Sequence, residues 1–309
     1  MHGAAMIRRL VAGLDRFWFE PVPAQRLAAV RVFVGLFTLG FLMVRGVNLA
    51  SYGQFSAHRF APVGVVSVLD APLPNWSVCA LVIATVIAAI PFTLGWRFRV
   101  FGPVFAVLLW WTTTYRQSWG MIFHTENLML LHVAVLALTP SAHAYALDAR
   151  GAQPSSSHLR YGWPLKLMAA LLVTSYVVAG LAKLRVTGWA WVDGEVLQIQ
   201  IAYDNVRKIE LGAMHAPLGA WLVQFGWLFP ILATGSLVLE LGAPIALFGR
   251  RLAKLWCVGV WCFHFGVLLF MAILFAYPLS GCAFVVLFRA EYAVEAIRRW
   301  PVVQVLGGR

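Results

Sequence analysis

Five ionisable side chains lie inside long apolar stretches, where a charged group is costly to place. These residues are Arg31, His132, Lys183, Glu240 and His264. Lys183 follows the apolar run SYVVAGLA, and His124 and Glu126 stand at the start of another apolar run. A lysine in an apolar setting can lose its proton and act as a base, and histidine or carboxylate groups can assist it. The residues therefore predict a proton-transfer site.

Each of these residues also has a structural interpretation, which the sequence leaves open. Lys183 could extend its ammonium to the lipid headgroups, and His132 could hydrogen-bond to a neighbouring helix. Glu240 in GSLVLELGAP and His264 in VWCFHFGVLLF fall at similar depth, so we expect them to pair and offset the cost of burying both. The chain has no HxxxH or HxxE spacing, so we expect no metal site.

The elements that position these residues must be membrane helices. The chain has 309 residues, of which 61% are hydrophobic and 12% are charged. Soluble proteins contain about twice that charged fraction. The net charge of +12 comes from cations in short loops between apolar runs, which indicates membrane orientation and argues against nucleic acid as a partner.

The apolar runs predict about eight transmembrane helices, because a span needs about 20 mostly apolar residues. The predicted spans are 27–45, 77–95, 99–114, 124–140, 164–184, 224–248, 253–271 and 273–289. Most loop arginines and lysines fall on one side if both termini are cytoplasmic. The predicted fold is an all-α polytopic transmembrane bundle with both termini cytoplasmic, in the inner (plasma) membrane.

Three regions follow from this map. Residues 1–26 predict an amphipathic helix at the membrane interface, 27–289 the transmembrane domain, and 290–309 a basic cytoplasmic tail. Two long loops, 46–76 and 185–223, fall on the outer side and are rich in aromatic residues, which suits segments at the interface. We therefore expect any active cleft to open outward.

Several motifs resemble a known family. SYVVAGLAKL followed by WVDG (Trp191 to Gly194) is similar to the signature of the HTTM family, which includes the transmembrane domain of vitamin K-dependent gamma-carboxylase. The stretches HRFAPVG at 58–64 and HTENLMLLHVAVLALTPSAHAYALD at 124–148 resemble further family elements. So do LVLELGAPIALF and WCFHFGVLLFMAIL, and the resemblance covers roughly residues 20–290.

The resemblance implies a chemistry. In the carboxylase the lysine matched by Lys183 deprotonates vitamin K hydroquinone, which then reacts with O2 so that CO2 can add to a glutamate side chain. A histidine matched by His124 assists. The chain departs from the family at Ala182, where the carboxylase has a lysine, and in about three extra residues before WVDG. We expect the luminal peptide-binding domain to be absent, so a peptide substrate would need a separate protein.

Three functions remain open. The first is a quinone-linked, carboxylase-like enzyme with Lys183 as base, helped by His124 and Glu126, in an outward-facing pocket. The residues predicted to line that pocket are His132, Trp189, Trp191, Glu240, His264 and Arg59. The second is a non-catalytic accessory protein for maturation or export of a secreted peptide. The third is a small-solute transporter or channel.

Overall fold

The computed structural model describes residues 2–120, 122–150 and 156–299. The regular secondary structure of these residues is entirely helical. Outside the helices, Val22 and His158 form an isolated antiparallel β-bridge. The predicted all-α fold is confirmed. Helices satisfy the backbone hydrogen bonds within one segment, which an apolar environment requires.

The α-helices are α1 (His2–Trp18), α2 (Ala24–Ser51), α3 (Asn75–Leu94), α4 (Phe98–Gln117), α5 (Asn127–Ala137), α6 (Leu159–Thr187), α7 (Glu195–Glu210), α8 (Pro217–Leu222), α9 (Phe229–Leu241), α10 (Arg250–Met271), α11 (Ala276–Leu279) and α12 (Glu291–Arg298). Short 3₁₀ helices join them at Tyr52–Gln54, Ala57–Arg59, Gly64–Val68, Leu147–Ala149, Gly188–Asp193, Gly226–Leu228, Ala243–Leu247 and Cys282–Leu287. The chain forms two compact units. The first unit runs to Met168 and resumes at Phe288, and the second unit is Ala169–Leu287.

Four helical segments in the described residues are long and apolar enough to cross a membrane. They are Ala24–Gln54, Asn75–Leu94, Leu159–Asp193 and Arg250–Met271. Each coincides with a predicted span. Asn127–Ala137 and Gly226–Leu241 are shorter apolar helices. The membrane character is thus supported by the helices themselves, while the count of eight spans and the orientation of the termini stay predictions.

Two predicted spans are interrupted. The predicted span 224–248 contains α9, which ends at Leu241 and is followed by Gly242 and the 3₁₀ helix that contains Pro244. The predicted span 273–289 contains only α11 and the 3₁₀ helix Cys282–Leu287. Proline cannot donate a backbone hydrogen bond and glycine weakens a helix interior, so these residues limit helix length.

Arg31 and Asp148 organise one end of the first unit. Asp148 accepts hydrogen bonds from the backbone N–H groups of Arg97 and Phe98, both at 2.8 Å, and so caps the start of α4. Arg31 is fully buried and donates from Nη2 to the Tyr145 carbonyl at 2.5 Å. The segment Tyr145–Asp148, part of the motif at 124–148, is therefore a structural cap.

A bidentate ion pair fastens α12 to α2 in the same unit. Nε of Arg26 donates to Glu291 Oε2 at 3.2 Å, and Nη2 donates to Oε1 at 2.9 Å. The predicted tail 290–309 thus begins with a packed helix. Residues 300–309 of that tail lie outside the described part of the chain.

Candidate functional site

Lys183 and Glu240 form a short ion pair in the second unit. Lys183 lies on α6 and Glu240 on α9, and Nζ is 2.6 Å from Oε2. The side chains are 20% and 5% exposed, respectively. Both residues were predicted as site residues, but the predicted partner of Glu240 was His264. The structure gives Glu240 a lysine instead, so an amine and a carboxylate meet at one point.

Two aromatic rings flank the ammonium group of Lys183. Nζ lies 4.9 Å from the centroid of the Trp191 ring and 5.5 Å from that of Phe263. A cation over an aromatic face is attracted by the electron density of the ring. The ammonium is therefore held on one side by a carboxylate and on others by apolar, polarisable surfaces. Trp191 was predicted at this site, whereas Phe263 was not.

Two glycines of the signature motif allow α6 and the following turn to approach α9 closely. A Cβ on Gly180 would lie 3.1 Å from Glu240 Cβ and 2.9 Å from Leu241 Cδ2. Gly194 has φ of +81°, and a Cβ there would lie 2.3 Å from the Phe229 carbonyl carbon. A side chain at Gly194 would require the backbone to shift, and one at Gly180 would push the side chains of Leu241 and Glu240 aside. The motif is thus the contact surface that brings Lys183 to Glu240.

Trp191 is fixed by hydrogen bonds to α9. Its indole Nε1 donates to the Ala233 carbonyl at 3.1 Å and to Ser236 Oγ at 3.3 Å. The side chain is buried, whereas Trp189, two residues earlier in the same 3₁₀ helix, is 75% exposed. The structure therefore separates the two predicted tryptophans, with Trp191 beside Lys183 and Trp189 on the surface.

A second polar pair lies on the same face of α6, seven residues before Lys183. Tyr176 Oη lies 2.8 Å from His264 Nε2, and both side chains are buried. The Tyr176 ring also packs edge-on against Trp256, with centroids 5.1 Å apart. Positions seven apart share a helix face, so α6 presents Tyr176 and Lys183 in one row. His264 was predicted here, and Tyr176 was missed.

The segment that follows Trp191 is held by polar contacts to the end of α10. Asn205 of α7 donates to the Phe270 carbonyl at 2.9 Å, and Lys208 donates to the Met271 carbonyl. Lys208 and Arg207 also pair with Asp204. Partial burial would raise the pKa of Asp204, but hydrogen bonds and charge from these two cations outweigh it and lower the pKa below its usual value.

The first unit holds the other predicted helpers. Glu126 Oε1 lies 2.7 Å from Nη1 of Arg116, and both side chains are largely buried. The Arg116 guanidinium stacks on the Phe123 ring at 4.6 Å. His124, between these residues, is exposed. Glu126 is therefore engaged in an ion pair that fixes the loop between α4 and α5.

His132 and Arg59 also belong to the first unit. His132 is fully buried on α5, and its Nε2 lies 3.1 Å from the Met168 carbonyl of α6. This contact matches the hydrogen bond to a neighbouring helix that the sequence left open. Arg59 is exposed on the 3₁₀ helix Ala57–Arg59. Among the described residues, no group of three or more His, Cys, Asp or Glu side chains is arranged to hold a metal ion.

The missed residues Tyr176 and Phe263 carry weak sequence signals. A tyrosine or phenylalanine in an apolar run is common in membrane helices, so neither is anomalous alone. Two relations in the sequence point to them. Tyr176 lies seven residues before Lys183, on the same helix face, and Phe263 directly precedes His264. Neither relation specifies which neighbouring helix each residue contacts.

Comparisons with known proteins agree with the resemblance described above. The model of the HTTM domain matches residues 19–291, which is most of the chain. Neither the curated proteins nor the solved structures give a significant match. The motif glycines, Lys183 and Trp191 all fall within the matched region and form one packed arrangement with α9. The chain is an integral membrane protein that belongs to the HTTM family.

Proposed function

We propose that the protein is a carboxylase-like membrane enzyme that takes a proton from a reduced quinone of the vitamin K hydroquinone class. The observation that carries this proposal is the 2.6 Å contact between Lys183 Nζ and Glu240 Oε2 in the apolar interior of the second unit. A proton-carrying pair at such a position is costly to maintain for packing alone. A role in proton transfer would account for the presence of the Lys183–Glu240 pair.

The pair can exist in two forms that differ by one proton moved along the hydrogen bond. In one form Lys183 is an ammonium and Glu240 a carboxylate; in the other they are an amine and a carboxylic acid. Apolar surroundings penalise the charged form and so bring the neutral form closer in free energy. In the neutral form the amine nitrogen is the base, and Glu240 holds the proton that the amine released.

The surrounding side chains fit an aromatic, phenolic substrate. Trp191 and Phe263 provide ring surfaces beside the amine, and exposed Trp189 offers a further one nearby in sequence. When bound, a reduced quinone supplies the phenolic hydroxyl that loses the proton. The family resemblance adds O2 and CO2 as co-substrates, and a secreted peptide or a separate substrate-binding protein as partner.

The predicted helpers take different roles in this proposal. The Glu126 carboxylate is paired with Arg116, so we assign it to holding the loop between α4 and α5. His124 remains a helper on the strength of the resemblance. The second unit supplies the base, because there Lys183 meets a carboxylate that is almost fully buried, whereas Lys166 in the first unit meets the exposed Glu20.

The test removes the movable proton from either member of the pair. Lys183→Arg keeps a cation for Glu240, but a guanidinium does not give up its proton at physiological pH. We expect Lys183→Arg to lower the rate of vitamin K hydroquinone consumption in proteoliposomes by about 10²–10⁴-fold, the range for a general base. Glu240→Gln should show a similar loss.

The matched control is Lys166→Arg. Lys166 pairs with Glu20 at 2.9 Å, as Lys183 pairs with Glu240, but this pair is more exposed. Its variant should keep the wild-type rate. Wild-type hydroquinone consumption by folded Lys183→Arg would refute the proposal.

The second candidate is the non-catalytic accessory protein for a secreted peptide. The observation that favours it is that the Lys183 ammonium already has a carboxylate and two aromatic faces as partners, as in a structural ion pair. This function predicts that Lys183→Arg preserves peptide maturation in cells. A loss of maturation with Lys183→Arg, in a folded protein, would exclude it.

A further inference from the structure

Helix α7 exposes an apolar face. Ile199, Tyr203 and Val206 recur at intervals of four and three residues, so they lie on one side of the helix. Their side chains are 58%, 67% and 53% exposed. Glu195 and Glu210 stand on this side only at the two ends of the helix. The middle of the outward side is therefore apolar.

The opposite side of α7 carries polar groups that are turned against the protein. Asn205 is buried, and its Oδ1 accepts from the Ala216 backbone N–H at 2.7 Å. Lys208 Nζ lies 2.7 Å from Asp204 Oδ2, and Gln198 donates to the Val223 carbonyl at 2.8 Å. Ile201, on the same side, is buried against Leu222 and Phe229. The helix is therefore apolar on its outward side as well, unlike a helix on a water-soluble protein, which exposes its polar side.

The apolar surface continues into the residues after α7. Leu211, Met214, Leu218 and Trp221 are exposed, and Met214 has 84% of its surface exposed. Together with Ile199, Tyr203 and Val206 they form what we call the α7–α8 surface. A contiguous apolar surface of this kind marks contact with another apolar phase or with a protein.

The attachment of α7 places this surface at a membrane boundary. Asn205 and Lys208 bind the carbonyls of Phe270 and Met271, the last residues of the α10 span. The 3₁₀ helix before α7 directly continues the α6 span, which runs to Asp193. The segment 195–223 thus starts and is pinned where membrane helices end.

We infer that the α7–α8 surface lies in one leaflet of the bilayer, at the boundary between acyl chains and headgroups, and not in water. Tyr203 and Trp221 suit this depth, because their rings are apolar and their polar atoms can reach the headgroups. Glu195 and Glu210, at the helix ends, can reach the same layer. The segment 195–223, predicted as part of an extramembrane loop, is then embedded in the membrane interface. The inference is independent of the proposed function.

A lipid partner explains the surface better than a second protein does. The outward residues continue the lipid-facing character of the spans to which α7 is attached, such as exposed Val258 on α10. In the middle of the segment the charged side chains pair with one another, because Arg207 and Lys208 both contact Asp204.

Spin labels in liposomes of phosphatidylcholine and phosphatidylglycerol test the inference. Labels on Tyr203→Cys and Val206→Cys, in a background without the four native cysteines, report accessibility to oxygen, which enriches in lipid, and to a water-soluble nickel chelate. Labels on Val258→Cys and Ser156→Cys serve as lipid and water references. We expect both α7 labels to match Val258→Cys, with oxygen favoured several-fold over nickel.

Two results would overturn the inference. Nickel accessibility like that of Ser156→Cys would place the surface in water. Protection from both reagents would mean that protein covers it. If the cysteine-free background does not fold, hydroxyl-radical footprinting of the wild-type chain replaces the labels. In the same liposomes Tyr203 should be oxidised several-fold less than Tyr292 of α12, which is exposed to a similar extent, and equal oxidation of the two would contradict the inference.

Discussion

The buried charges of the two units differ in the cation that each uses. In the first unit the cations are arginines: Arg26 with Glu291, Arg116 with Glu126, and Arg31 with the Tyr145 carbonyl. In the second unit the buried carboxylate Glu240 meets Lys183. The geometry is similarly tight, at 2.7 Å for Arg116 and 2.6 Å for Lys183. The two pairs nevertheless allow different chemistry.

The difference separates a fixed charge from a movable proton. A guanidinium stays protonated in proteins and offers a planar fork that can bind both oxygens of a carboxylate, as Arg26 does. An ammonium is a compact charge that can lose its proton when water is excluded. The arginine pairs of the first unit therefore suit fastening of helices, and the lysine pair of the second unit suits proton transfer.

Removing one member of the lysine pair should give the largest effect on stability. Glu240→Leu leaves the Lys183 ammonium without its carboxylate, and breaking a buried pair on one side costs about 3–5 kcal/mol. The double variant Lys183→Met with Glu240→Leu should recover most of this loss. Denaturant titration in detergent micelles measures the free energies of unfolding. A double variant as unstable as the single one would show that the charges do not act as a pair.

Replacing an arginine of the first unit by lysine should have a smaller effect. Arg26→Lys keeps the charge opposite Glu291 but loses one arm of the two-bond contact, which corresponds to about 1.5–3 kcal/mol for a charged hydrogen bond. The same titration measures the change. Lys166→Arg, at a more exposed pair, serves as the control and should change stability by less than about 1 kcal/mol. An unchanged Arg26→Lys variant would remove the distinction between the units.

The cap of α4 should contribute less again. Asp148→Ala removes the carboxylate that accepts from the backbone N–H groups of Arg97 and Phe98. Loss of such a cap costs about 0.5–2 kcal/mol. Asp70→Ala, at an exposed loop residue, is the control and should leave the melting temperature unchanged. Equal melting temperatures for both variants would contradict the capping role.

The pH dependence carried by Asp204 should be the smallest effect. Its pKa is lowered in the folded protein, because the bonds and charges of Lys208 and Arg207 outweigh the effect of burial. The stabilisation is therefore present above the unfolded pKa, near 4, and is lost as the pH falls through the folded value. Wild type should exceed Asp204→Asn by about 0.3–0.5 kcal/mol at pH 7, and the difference should shrink at pH 3. Melting curves at both pH values measure it, and a difference that grows on acidification would refute the assignment.

The fold was accessible from sequence where one rule dominates. The runs 27–45, 77–95, 164–184 and 253–271 are apolar for the length of a bilayer, and the structure has long helices there. The predicted spans 224–248 and 273–289 were equally apolar, but hydropathy does not register how glycine and proline end helices. The breaks at Gly242 and before Pro244 follow from local backbone chemistry.

The site was only partly accessible from sequence. The cost of burying a charge singled out Lys183 and Glu240, and it also required partners for them. The cost of burial did not determine which residue pairs with which, because a similar depth in the membrane does not reveal how each helix is rotated about its axis. Glu240 was therefore predicted to pair with His264, and the structure instead places α6 against α9 through the close contact at Gly180. His264 instead forms a hydrogen bond with Tyr176.

The separation of Lys183 and Glu240 along the chain has a consequence for synthesis. The two residues are 57 positions apart. At ribosomal speeds of 5–20 residues per second, the lysine is made roughly 3–11 s before its carboxylate. During that interval a nascent chain carries a solitary cation near the end of a newly inserted helix. This helix must therefore insert while the Lys183 cation is unpaired, and the charge is neutralised only when α9 brings Glu240 into place.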